Sequence, residues 1–112
     1  MTAPEKLPYR ISGRDIVADL KGMRVQVLSL AVGETIPWHF HSEVNDVFIC
    51  LDGILRVETK APSCVYELKP GNNCIVLANT AHLVSGNEGK ACRFVLVQGV
   101  GQHDFIPVGA KS

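Results

Sequence analysis

The chain has 112 residues, 46% of them hydrophobic and 20% charged, which suits one folded domain over residues 1–112 and excludes a disordered chain. Eleven Lys and Arg residues balance eleven Asp and Glu without forming a basic stripe, which argues against nucleic acid as a partner. The opening "MTAPEKLPYR" lacks the apolar core of a signal peptide, and no run approaches the roughly 20 apolar residues of a membrane span, so no membrane partner and a cytoplasmic location are expected.

Helical periodicity is nearly absent, while short β-branched runs recur between turn signals. In chain order the runs are "IVADL" (16–20), "MRVQVLSLAV" (23–32), "VFICL" (47–51), "ILRVET" (54–59), "CVYEL" (64–68), "NCIVL" (73–77), "AHLVS" (81–85) and "CRFVLVQ" (92–98). Eight strands of this kind predict an all-β closed barrel or jelly roll. In the second run Met23, Val25 and Val27 share one parity and Leu28, Leu30 and Val32 the other. The buried face is therefore expected to switch near Val27, at a bulge that carries the strand from one sheet to the other. Asp52–Gly53 reads as a tight hairpin, and "KPG" (69–71) and "GNEG" (86–89) read as turns. Residues 1–10 and 99–112, with Pro4, Pro8, Pro107, Gly99, Gly101 and Gly109, read as arms suited to packing on a partner subunit.

Cys50, Cys64, Cys74 and Cys92 stand singly in apolar stretches, without the close pairs of a zinc ribbon or a redox motif. They are expected to be buried free thiols rather than disulfides.

The chemistry concentrates around "WHFH" (38–41). In a strand, alternate side chains share a face, so His39 and His41 point one way and Phe40 the other. Asp46 opens the next apolar run on the parity of Phe48 and Cys50, and a buried carboxylate needs a partner such as a metal or a histidine. His82 leads a strand that can lie beside the one carrying the first two imidazoles. Three neutral imidazoles and a carboxylate suit a divalent transition metal: Fe, Mn, Ni, Zn or Cu.

These residues resemble the cupin superfamily. Its first motif is Gly, five residues, His-x-His, three or four residues, Glu, six residues, Gly. Gly33, His39, His41, Asp46 and Gly53 keep every spacing of that pattern, with Asp in place of Glu. The second motif is Gly, five residues, Pro-x-Gly, two residues, His, three residues, Asn; Gly71, Leu77, Asn79, His82 and Gly86 keep the spacing but only the first Gly and the His. Asn79 can supply the left-handed turn that Gly would give. The resemblance covers residues 33–86 and implies a small single-domain double-stranded β-helix with a metal bound inside the barrel by His39, His41, His82 and Asp46. Asp is one methylene shorter than Glu, so Asp46 either completes the coordination shell, orients a ligand imidazole, or acts as a base, with Glu43 as the fallback carboxylate.

Family members include dioxygenases, decarboxylases, sugar-phosphate isomerases, lyases and non-catalytic sensors, so the resemblance leaves the reaction open. The leading expectation is a metal-dependent enzyme of dioxygenase, isomerase or lyase type. It would act on a small oxygen-chelating molecule, with Asp46 in the catalytic role. The alternatives are a non-catalytic binding or sensing barrel and a barrel with a purely structural metal. Without obvious cavity-facing Lys or Arg, a phosphorylated sugar is not expected. Trp38 is expected in the core or at the pocket rim, Phe48 and Cys50 lining the cavity, His103 in a solvated tail, and Arg56 and Arg93 facing outward. A homodimer is the expected assembly.

Overall fold

The computed structural model describes residues 9–108. Its strands are β1 (Gly13–Leu20), β2 (Met23–Leu30), β3 (Thr35–Phe40), β4 (Asn45–Asp52), β5 (Leu55–Thr59), β6 (Cys64–Leu68), β7 (Asn73–Val76), β8 (His82–Gly86), β9 (Cys92–Gly99) and β10 (Ile106–Pro107). They form two five-stranded sheets, ordered β1-β2-β9-β4-β7 and β10-β3-β8-β5-β6, with antiparallel pairs. This is the double-stranded β-helix that the cupin resemblance implied. Thr35–Phe40 form β3, a strand that the apolar runs did not mark because its two buried positions are one aliphatic residue, Ile36, and one imidazole, His39, separated by a register shift.

Most connections change sheets, which is why the turn residues matter. Asp52–Gly53 is a corner between β4 in one sheet and β5 in the other, not the tight hairpin expected from the dipeptide. Gly53 sits there at φ +74°, and a Cβ on it would lie 2.6 Å from the Ala91 carbonyl oxygen. "KPG" and "GNEG" also cross between sheets, the latter through a short 3-10 turn at Asn87–Gly89. At Gly86 a Cβ would meet the Lys90 carbonyl oxygen at 1.6 Å, so the Asn usual at this position of the resembled motif has no room here.

The core lies between the sheets and includes Leu28, Leu30, Phe48, Val57, Val84 and Phe94. The parity of β2 does not switch. Gln26, Leu28 and Leu30 are buried and the strand runs against β9 without a register shift; the irregularity lies in β1, between Ile16 and Ala18. The inward face of β2 simply turns polar at Gln26, so the aliphatic parity of Val25 and Val27 marks the outer face. Val25, Val27, Val47, Ile49, Val95 and Val97 there are half-buried, and Ile75 beside Val47 is exposed.

The C-terminal segment, expected as an arm for a partner, folds back over its own barrel. Ile106 and Pro107 pair with Phe40 and His39, and the Val108 amide donates to the Trp38 carbonyl at 3.1 Å. Residues 1–8 and 109–112, the rest of the expected arms, lie outside the described residues.

Candidate metal centre

His39 and His82 face each other as Cα partners across β3 and β8, and His41 follows one residue past the end of β3. Asp46 reaches the same point from β4 in the opposite sheet. One donor atom from each of the four residues lies within 4.8 Å of the others, and all four side chains are buried. Asp46 Oδ2 stands 3.0 Å from His41 Nε2 and 3.1 Å from His82 Nε2. The shorter acid therefore reaches the imidazoles, and its second oxygen, Oδ1, accepts a hydrogen bond from Gln98 Nε2 at 3.1 Å.

The three imidazoles share one orientation device. Nδ1–H donates to a backbone carbonyl in each case: Pro37 for His39 at 2.7 Å, Thr80 for His82 at 2.8 Å, and Asp104 for His41. A carbonyl only accepts, so Nδ1 carries the proton and, in the neutral ring, the Nε2 lone pair is left for a cation. The turn that brings in His82 is also tied down, since the Asn79 amide donates to the His41 carbonyl at 2.7 Å and Asn79 takes φ +65°.

Lone pairs of neutral imidazoles facing Asp46 Oδ2 at 3.0–3.1 Å would be acceptors meeting an acceptor, so the arrangement calls for either a shared proton or a metal cation between them. Ligands about 2.1 Å from one metal at right angles stand about 3 Å apart, so the donor set fits a divalent transition ion. Without a bound ion the titration shifts run in both directions. Burial, with the neighbouring His82, pushes His39 down to about 3. Burial also works against charge on His41, but Asp46 and Asp104 outweigh it and raise that group above its usual value. Asp46 itself is held well below the usual carboxylate range: burial opposes this, and the bonds and charges of His41 and His82 prevail.

A cavity of about 360 Å³ is lined by His39, His41 and Asp46, with His82 behind them. Phe48 lines it as expected, whereas Cys50 is buried deeper, with its thiol against the Asp52 and Gly53 carbonyls. Cys50, Cys74 and Cys92 are buried free thiols and Cys64 is half-buried. Burial lifts Cys74 and Cys92 to about 11, so neither is a nucleophile. Glu43 is exposed and accepts the Gln102 amide at 3.0 Å, away from the donor set. Trp38 carries Lys60 over its ring at 4.3 Å. Arg56 pairs with Glu58 and Glu67, and Arg93 is exposed.

Several site residues escaped the sequence reading. Gln98 and Gln26 were hidden at inward positions of strands whose aliphatic residues dominate the pattern. Phe105 stacks on His39 with ring centroids 4.2 Å apart, and Asp104 accepts from the Ser42 amide at 3.0 Å and from its hydroxyl. His103, expected in a solvated tail, lines the cavity, and its Nε2–H donates to the Gln98 carbonyl at 3.1 Å. Arg14 and Arg24 also line the cavity, which overturns the expectation of one without cationic residues.

No curated protein sequence matches the chain significantly. Among solved structures, the chain is similar to an uncharacterised conserved protein with a double-stranded β-helix domain from Klebsiella pneumoniae, with a TM-score of 0.70 and 21% identity over 92% of this chain and 86% of that one. It is similar to KdgF from Halomonas sp., with a TM-score of 0.67 and 18% identity over 80% of both chains. A third is recombinant oxalate oxidase in complex with glycolate, with a TM-score of 0.69 and 15% identity over 78% of this chain but 46% of the oxidase. The cupin domain model matches residues 26–98, a span that contains all four donor residues and most of both sheets. The chain belongs to the cupin family.

Proposed function

We propose that the protein is a metal-dependent enzyme acting on a small oxygen-chelating organic molecule, in the dioxygenase, isomerase or lyase range. The observation that carries this reading is the position of three of the four donor residues, His39, His41 and Asp46, in the wall of a cavity of about 360 Å³. A metal serving only as a staple needs no such space, whereas a site for a substrate keeps an open side.

His39, His41 and His82 would hold a divalent ion of Fe, Mn, Ni, Zn or Cu through Nε2. Such an ion, when bound, supplies Lewis acidity toward substrate oxygens. Phe48, Ile36, Val84 and Leu96 form apolar parts of the cavity wall and restrict water around a bound molecule. Asp46 either completes the ligand set through Oδ2 or takes a proton from the substrate, with Gln98 fixing the orientation of its carboxylate in both cases. The small acid bound in the oxalate oxidase structure supports a ligand of this size on the same fold.

The same reading includes a homodimer formed through the outer face of Val25, Val27, Val47, Val95 and Val97, since contiguous half-buried aliphatic surface marks an interaction site. A cytoplasmic location belongs to it too, and unpaired cysteines suit a reducing compartment. The test of catalysis is product formation by metal-loaded protein from a panel of small hydroxy, oxo and diketone acids, followed by NMR and an oxygen electrode. Metal-dependent turnover abolished in His82→Ala supports an enzyme. Saturable binding of the panel with no turnover under any metal would instead make this a binding or sensing barrel.

A further inference from the structure

The charged groups lining the cavity are unevenly placed. Asp46 lies in the donor cluster, and the Asp104 carboxylate is held at Ser42, while Arg14 and Arg24 stand on the other side, on β1 and β2. Strand register sets the separation. Asp46 is the Cα partner of Gln98, and Gln98 is the Cα partner of Arg24, so the three form one row across β4, β9 and β2 with side chains on the same face. Two interstrand spacings put the Cα atoms of Asp46 and Arg24 about 10 Å apart.

Between these poles runs a floor of neutral amides. Arg14 Nε donates to Gln26 Oε1 at 2.6 Å, Gln26 Nε2 to Gln98 Oε1 at 3.4 Å, and Gln98 Nε2 to Asp46 Oδ1 at 3.1 Å. Gln26 and Gln98 are 5% and 6% exposed, so this row is built into the barrel rather than scattered over its surface. Arg24 has 16% of its side chain exposed and meets Asp19, which is half-exposed, at 3.7 Å.

We infer that Arg24, supported by Arg14, forms a second subsite that receives the distal carboxylate of a small hydroxylated dicarboxylic acid whose other end reaches the imidazole cluster. The inference rests on the metal-binding reading proposed above. Charge favours an anionic group at this end: Arg14 and Arg24 both line the cavity there, Arg14 bonded to the neutral Gln26 amide and Arg24 meeting the half-exposed Asp19 at 3.7 Å, a pair that solvent screens. Shape agrees, because the planar fork of a guanidinium matches a carboxylate, and the Gln26 and Gln98 amides face the span where the hydroxylated middle of such a molecule would lie.

The test uses the full chain reconstituted with Ni²⁺ and dialysed free of excess metal. Binding of L-malate and of 2-hydroxybutyrate, which replaces the distal carboxylate by a methyl group, is measured by calorimetry on wild type, Arg24→Gln and Arg24→Lys. Wild type is expected to bind malate at least about tenfold more tightly than 2-hydroxybutyrate, in line with one charge-assisted pair. Arg24→Gln should erase that difference while keeping its nickel and its affinity for 2-hydroxybutyrate, and Arg24→Lys should restore part of it. Equal affinities in wild type, equal weakening of both acids in Arg24→Gln, or nickel loss from that variant would each overturn the subsite. A wild-type protein that takes up no nickel sinks the metal reading itself, a different result from metal uptake without carboxylate selectivity.

Discussion

Each imidazole of the donor cluster is oriented by a backbone carbonyl at its Nδ1, and two of those carbonyls, Pro37 and Thr80, lie only two residues before the histidine they hold. The orientation is thus largely local, which helps explain why the spacing of histidines in the sequence was informative. What the sequence could not show was the reach of Asp46: its missing methylene is made up by the placement of β4 and by the Gln98 amide on Oδ1. The shifted titrations predict a pH dependence for the metal-free protein. His39, at about 3 in the fold against a usual 6.5, stays neutral while the unfolded chain gains a proton. The unfolded state then binds more protons between those values, so stability falls as pH drops through that window. His41 is raised, so its contribution is fully present below about 6.5 and is lost as pH climbs through its folded value. The urea midpoint measured with a chelator should therefore peak near pH 6.5, and His39→Gln should flatten the acid side. An acid limb unchanged in that variant would contradict the assignment.

At the scale of elements, the site is assembled by three segments that do not look alike in sequence. Apolar runs recover β4, β8 and β9 well because alternate aliphatic residues reveal their inward parity. They miss β3, whose buried positions are Ile36 and His39 on either side of a register shift, and β10, which is two residues long and borrows its order from β3. The same blindness produced the false bulge in β2: a polar inward face reads as a change of side when the pocket is not yet known. The segment from His103 to Ile106 shows how much a short element can contribute, since it supplies the carbonyl for His41, the Ser42 partner and the ring on His39. Phe105→Ala should weaken metal binding by roughly tenfold, the lower end of the range for residues that orient ligands, while leaving the far-ultraviolet circular dichroism unchanged. Chelator competition measures the affinity, and an unchanged value would show that the stacking on His39 is dispensable.

On the scale of the whole molecule, the two sheets share one core but have unlike outer faces. The face carrying Val25, Val27, Val95, Val97, Val47 and Ile49 gives the proposed dimer its surface, and its pairing should be visible in sedimentation as twice the 12.2 kDa chain mass. Ile75→Glu, at an exposed position beside Val47, should shift the protein toward monomer; a wild type that sediments as a monomer at all concentrations removes the interface. The family, the fold and the four donor residues were readable because the spacings from Gly33 to Gly53 and from Gly71 to His82 are intact, whereas the arginines, the glutamines and the C-terminal cover depend on register between distant strands, which no local pattern encodes. The most direct measurement of the central claim is elemental analysis of protein purified without added metal, alongside a variant with His39, His41 and His82 all replaced by Gln. About one equivalent of a transition metal in the wild type and none in the variant is the predicted result; equal metal in both, or none in a wild-type protein that also refuses Ni²⁺, Mn²⁺, Fe²⁺, Zn²⁺ and Cu²⁺ on reconstitution, would contradict it.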